Sequence, residues 1–349
     1  MPWNLPSPAP ESIAPPSANR RHPAAKVFTL LIARYFICQG RHPVLTTRMS
    51  TRYLIALAAL GGTAAFAQDP QAPVAEGPQS MVPGFDASRI VYSQSGDMDL
   101  QDDEGSLEVT DLAVRSFLCQ PVRPIEGLYV LPEASYRFTH LNIDGQAGPL
   151  QDEDLHSLAL SLYVLGMPAG SPWIYGAWAR AELATDFDVI NGDDFSFDLA
   201  GGVGYRFNDS FTFGVGAAVT NLNGYPSFYP GIGFDWVASE KLRIGIYGPT
   251  AVAAYALNEY WLFTLRFDFS GGVWNVEDRN GQSQSVDLSD NRLGLYASRR
   301  LTENLWLTAG AGLTIANELD YTTPAGHGIY SSDLDTAPFG VISLRVKAW

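Results

Sequence analysis

From Asp194 to Val219 the chain reads DFSFDLAGGVGYRFNDSFTFGVGAAV. Phe195, Phe197, Leu199, Val203, Tyr205 and Phe207 fall on one side of an extended chain, and Ser196, Asp198, Ala200, Gly202, Gly204 and Arg206 on the other. Successive side chains of a strand point to opposite faces, so this period of two predicts strands whose faces meet unlike surroundings. After Asn208–Ser210 the pattern resumes with Phe211, Phe213, Val215, Ala217 and Val219. It recurs from Leu128 to Asn142, from His156 to Val164, from Trp173 to Leu183, from Trp261 to Phe269 and from Leu305 to Thr314.

Short turns alternate with longer polar connections. Turns fall at Gln120–Ile125, Pro168–Pro172, Asn208–Ser210, Ala238–Lys241, Asn258–Glu259 and Leu301–Asn304. Between them lie Asp97–Gly105, Asp144–Asp154, Asp186–Asp193, Val276–Ser285 and Asn317–Thr336. Short turns at one end and long loops at the other are the layout of an antiparallel up-and-down transmembrane β-barrel. About 14 strands are expected, with 12 as the alternative, because the hairpin around Tyr247–Tyr255 is short.

Three features favour lipid over a soluble core as the partner of the apolar face. Aromatic residues crowd the strand ends on that face, as in the interfacial girdles of membrane barrels. The strands run to about 10–14 residues, enough for the ~9–11 that a tilted membrane strand needs. The opposite face is Gly, Ser, Thr and sparse charge. Closure then follows, since an open sheet edge in hydrocarbon would leave backbone groups unbonded. The chain ends on PFGVISLRVKAW, with Ile342, Leu344, Val346 and Ala348 in an outward row. An apolar row with a terminal aromatic suits the barrel-assembly machinery, although Trp349 is out of phase with the row.

The stretches LPEASYRF, GVGYRFNDSFTFGVGAAV and ALNEYWLFTLRFDF resemble the uncharacterised, porin-like outer-membrane β-barrel proteins of Gram-negative bacteria grouped as a domain of unknown function. The resemblance covers roughly Ser88 to Trp349. It implies a fold and a location, and brings no reaction and no catalytic residues.

The N-terminal part has a different character. From Met49 the chain reads MSTRYLIALAALGGTAAFAQDP, a basic start, a short apolar stretch and a small-x-small site at Ala65–Ala67. That is the layout of a secretory signal peptide. Residues 1–48 are therefore expected to be an upstream extension outside the fold, 49–67 a signal peptide, 68–87 a flexible linker and 88–349 the barrel. Residues 1–67 hold seven of the 22 Lys and Arg residues and one of the 37 acids. The remainder, 15 bases against 36 acids, has a net charge of −21. A basic footprint for nucleic acid is absent.

Candidate chemistry sits on the polar face. Arg115, Glu133, Arg137, Arg180, Glu182, Asp198, Arg206, Asp235, Arg243, Arg266, Asp268, Arg292 and Arg345 are expected to line the lumen. Opposed rows of charge select solutes in a pore. The same residues could equally be salt-bridged and fill a closed barrel. Glycines at 202, 204, 214, 216, 310 and 312 make room inside. The loops are acidic, with seven acids and no base in Asp97–Asp111. Clustered carboxylates suit divalent cations, but no segment has the spacing of a calcium loop. His140 and His156 flank a loop bearing Asp144, Asp152 and Asp154, yet both fall in phase with the outward row. Neither catalytic nor cofactor motifs are found, and Cys119 reads as a small residue near a turn.

The reading is thus a passive porin-like channel of the outer membrane, in contact with lipid and lipopolysaccharide. The alternatives are a closed structural or adhesion barrel acting through its acidic loops, and, third, a barrel enzyme of omptin or lipase type.

Overall fold

The computed structural model describes residues 86–101, 104–145, 152–188, 190–220, 227–277, 283–323 and 327–347, all within one compact unit. The extension, the signal peptide, nearly all of the linker and Trp349 lie outside the described residues.

Fourteen strands close into a ring. In chain order they are β1 (Asp86–Ser95), β3 (Gly105–Phe117), β5 (Leu128–Gly145), β6 (Glu153–Gly166), β7 (Trp173–Thr185), β8 (Phe195–Asn208), β9 (Phe211–Thr220), β10 (Ser227–Val237), β11 (Leu242–Tyr247), β12 (Thr250–Ala256), β13 (Trp261–Asp268), β16 (Arg292–Arg300), β17 (Leu305–Thr314) and β20 (Pro338–Lys347). Each pairs antiparallel with the next, and β20 returns to β1 over Asp86↔Lys347 to Ser95↔Phe339. The short hairpin resolves into two separate strands, β11 and β12, joined by Gly248 and Pro249, with Gly248 at a φ of 60°. These two strands have six and seven residues, below the length expected from the sequence, whereas β5 has 18.

Burial along each wall alternates as lipid outside and polar lumen inside require. Phe197 is 75% exposed, Leu199 60%, and Phe228 and Leu295 68% each, while Asp198 between the first two is buried. Aromatic rings form a continuous belt at the turn end: Trp173 meets Tyr205 at 5.0 Å, Tyr205 meets Phe207 at 5.0 Å, and Phe207 meets Phe211 at 5.8 Å. Rings there sit where an apolar body and a polar edge are both satisfied.

Two of the long connections are not the polar loops expected from the sequence. They fold as hairpins, β14 (Gly271–Glu277) with β15 (Ser283–Ser289), and β18 (Asn317–Thr322) with β19 (Gly328–Leu334). β15 pairs with β18, β14 touches β7 at Asn275↔Thr185, and β19 reaches β2 (Met98–Asp99) through Leu100↔Leu334. Together with the upper parts of β3, β5, β6 and β7 they make a second, narrower ring above the barrel. Its interior is apolar: Leu107, Val109, Leu141, Leu155, Trp274, Val286 and Leu319 are all essentially inaccessible. Burying such residues removes apolar surface from water at roughly 25 cal/mol per Å², which makes this dome a small core of its own. At the opposite end, β4 (Val122–Ile125) pairs with the start of β5 in a segment read from the sequence as a plain turn.

Candidate functional site: the barrel lumen

The inward faces of the strands divide the lumen into a filled half and a bare half. Below the dome, on β1, β3, β5 and β16, charges pack against one another. Asp111 accepts from Arg137 Nε at 2.8 Å, Thr139 Oγ1 at 2.7 Å and Arg292 Nη2 at 3.1 Å. Arg292 also pairs with Asp290 and donates to Ser93 Oγ at 2.7 Å. Arg137 donates to the carbonyl of Gly271 at 2.6 Å and lies 5.5 Å from the Trp274 ring, whose Nε1 donates to Ser157 Oγ at 2.9 Å. This network ties the dome to the lumen. Asp111, counted from the sequence among the acids of an exposed loop, is instead the buried acceptor at its centre. Charge buried with several charge-assisted hydrogen bonds is tolerable where an unpaired one is not.

The structure also places the remaining sequence candidates. Arg180 pairs with Glu182 on its own strand at 2.5 Å and stands opposite Asp198 in register. Arg243 pairs with Asp235 across β10 and β11, with the Tyr247 hydroxyl donating to the same carboxylate at 2.8 Å. Arg266 pairs with Asp268 at 2.6 Å, and Thr250 Oγ1 donates to Asp268 at 2.8 Å. Glu133 is buried and accepts from Tyr163 at 3.4 Å. Arg206 is exposed on β8. Most of these charges thus meet a partner on the same or an adjacent strand rather than across the lumen. Arg115 and Arg345 differ: with Arg89, which the sequence reading passed over, they form one row across β3, β1 and β20.

The bare half is the wall from β7 to β10. Gly176, Gly202, Gly216 and Gly231 stand side by side in register, and Gly204, Gly214 and Gly233 form the next row. A Cβ added to Gly202 would come within 2.9 Å of the Val215 carbonyl, and one on Gly216 within 2.7 Å of the Gly201 carbonyl, so the wall bends there too closely for a side chain. Cavities lie on either side of these rows, the dome-side one separated from them by the row of Trp178, Ala200, Ala218 and Tyr229. One of about 360 Å³ near the dome is lined by Arg180, Glu182, Asp194, Asp198 and Thr220. The other, about 710 Å³ at the turn end, is lined by Arg206, Asp209, Thr212, Asp235, Arg243 and Tyr247. Gly310 and Gly312, expected to make room in the same way, do not: the ring of Tyr296 covers the first and that of Phe339 lies over the second.

Outside the membrane-spanning part, acids crowd the dome. Burial, and then the charges of Asp320 and Glu318, push the Asp287 carboxyl up to about 7. Burial and the charges of Asp186, Asp188, Asp154 and Asp152 do the same to Glu153, also to about 7. Among the described residues no three His, Cys, Asp or Glu side chains stand together as metal ligands would. His140 pairs with Asp154 at 2.8 Å. His156 packs against the rings of Phe138 and Phe187 and hydrogen-bonds to the Tyr136 hydroxyl at 2.8 Å. Both belong to the outward face and line neither cavity. Cys119 is exposed.

A closed 14-strand ring, apolar outside and charged inside, defines a transmembrane β-barrel. Residues 130–347 match the model of a domain of unknown function, DUF6268, and the chain belongs to that family. No curated protein matches it. Among solved structures it is similar in fold to the COG4313 outer membrane channel from Pseudomonas putida F1, at 13% identity and a TM-score of 0.41, over 76% of this chain and 96% of that one. It is also similar to the KdgM porin, at 6% identity and 0.32 over 74% and 98%. A third is the TodX monoaromatic hydrocarbon channel, at 9% and 0.31 over 77% and 91%.

Proposed function

We propose that the protein is a passive outer-membrane channel for small solutes, with its path along the glycine-lined wall of β7 to β10. The observation that carries this reading is the side-chain-free rows on that wall, with a polar cavity on either side. Fourteen strands also enclose more than the eight whose interior side chains fill the space between them. An even strand number, short turns at one end and an outward aromatic belt support the outer membrane as its location, with the turns facing the periplasm and the dome facing outward. Lipid and lipopolysaccharide then cover the apolar band, and insertion falls to the barrel-assembly machinery. No step of chemistry is assigned to the lumen.

Single-channel conductance of the refolded protein in a planar bilayer tests the reading. Steady conductance that falls severalfold in Ala218→Trp, on the bare wall, is the expected result. Insertion without conductance overturns it and leaves a closed barrel acting through its acidic dome.

A further inference from the structure

The filled half contains an imbalance that ion pairing does not resolve. Arg89 is the direct cross-strand partner of Arg115 on β3 and of Arg345 on β20, so three guanidinium groups sit side by side on the lumenal face near the turn end. Like charges directly opposite on paired strands destabilise a sheet. The carboxylate at ion-pair distance is that of Asp86, 3.5 Å from Arg115.

The same row continues onto β17, where Trp306 is the register partner of Arg345. The Arg345 guanidinium lies 5.4 Å from the Trp306 ring centroid and the Lys347 ammonium 5.2 Å from it. Arg345 is only 6% exposed, yet its Nε and Nη2 have no hydrogen-bond partner. Nε of Arg89, Nε of Arg115 and Nε1 of Trp306 lack one too. These five are all donors. In folded proteins most buried polar groups find a partner, and a guanidinium has no acceptor character with which to help a neighbour. Arg115, whose side chain is 40% exposed, is the open side of the row.

We propose that Arg89, Arg115 and Arg345, with Trp306, form a binding station for a small oxyanion, a phosphate or carboxylate group, inside the barrel. A doubly charged oxyanion offers several acceptor oxygens to planar N–H forks and offsets the repulsion among the three guanidinium groups. Binding does not require conduction. It deepens the channel reading by naming anions as the solute class.

The test uses inorganic phosphate as probe and the refolded protein in detergent micelles at constant ionic strength. Phosphate is expected to raise the thermal midpoint and to change Trp306 fluorescence saturably, with Trp306→Phe, which removes the indole donor, losing the optical change and showing a smaller thermal rise. Arg89→Gln is expected to raise the midpoint without phosphate, by relieving repulsion, and to lose the phosphate-dependent rise. Arg115→Gln, at the exposed side, weakens phosphate binding while the barrel folds as before. A bilayer reversal potential separates the two readings: anion preference reduced in Arg115→Gln supports both. Phosphate binding without conductance keeps the station and removes the channel. Conductance with no saturable phosphate effect, or a phosphate effect undiminished in both arginine variants, overturns the station and leaves the pore.

Discussion

Two stretches of wall with the same sequence pattern end up with opposite interiors. GGVGYRF on β8 and LTAGAGL on β17 both place two inward glycines two residues apart, Gly202 and Gly204 on the first and Gly310 and Gly312 on the second. On β8 three of the four neighbours across the ladder, Gly176, Gly216 and Gly214, are also glycines and the fourth is Ile174, so no ring covers them. On β17 the strands to either side contribute Tyr296 and Phe339, whose rings lie over Gly310 and Gly312. A glycine therefore opens a lumen only when its register partners are small as well. Alternation belongs to one strand, but lumen shape belongs to three.

The largest effect should come from the charge network of the filled half. Asp111→Ala strands Arg137 and Arg292 without their shared acceptor and is expected to cost about 3–5 kcal/mol, the usual penalty for breaking a buried pair, as read by urea unfolding in vesicles. A loss under 1 kcal/mol would mean that the half is wet and its charges are already solvated. Next comes the outer face. Leu199→Arg should lose about 2–4 kcal/mol of insertion stability, the depth-dependent range for Arg against lipid, while Ala200→Arg, one residue on and facing the lumen, should lose far less. Equal losses would erase the distinction between lipid and lumen on which both halves depend.

A direct comparison of the halves needs only methyl groups. Gly310→Ala drives a Cβ into Tyr296 and should cost about 1–3 kcal/mol by overpacking. Gly231→Ala, with nothing within 4 Å of the added atom, should change stability by less than about 0.5 kcal/mol, as an uncrowded substitution does. The same ranking reversed would show the bare wall to be the packed one.

The smallest effect lies in the dome. Asp287 and Glu153 have carboxyls raised to about 7 in the folded protein, so the fold binds protons that the unfolded chain releases. Their contribution is present below the ordinary carboxylate range and is lost as pH rises towards 7. Amide exchange in β14, β15, β18 and β19 should accordingly be slower at pH 5 than at pH 8 after correction for intrinsic rates. Asp287→Asn should narrow that difference, and an unchanged difference would place the sensitivity elsewhere.

How much of this could be read from the chain follows from how local each cause is. The outward face was legible because lipid imposes one rule on every strand, whatever its neighbour. Thirteen lumenal charges could be listed from phase alone, but their partners could not, since Arg137 finds Asp111 only through the β3–β5 register. Asp111 was misread because it ends a run of acids, although Ala113 puts it in phase with Arg115. The dome hairpins were missed for a different reason. Trp274 and Val276, Val286 and Leu288, and Leu319 and Tyr321 do alternate, but two apolar residues apiece are too few for a period to stand out from a polar loop. Arg89 was overlooked because Val91 follows it inward and Ser88 precedes it outward, which blurs the contrast between the faces.

The brevity of β11 and β12 also acts on the surrounding membrane. Six residues at about 3.4 Å each, tilted by about 40°, rise only ~16 Å, whereas a typical barrel carries an apolar band ~25 Å tall. Across the ring, β5 and β6 rise well beyond that height. One flank therefore matches the hydrocarbon and the other falls short, so acyl chains beside β11 and β12 must shorten or the whole barrel must lean towards them. The bilayer beside β11 and β12 is thus expected to be thinner than that beside β5 and β6.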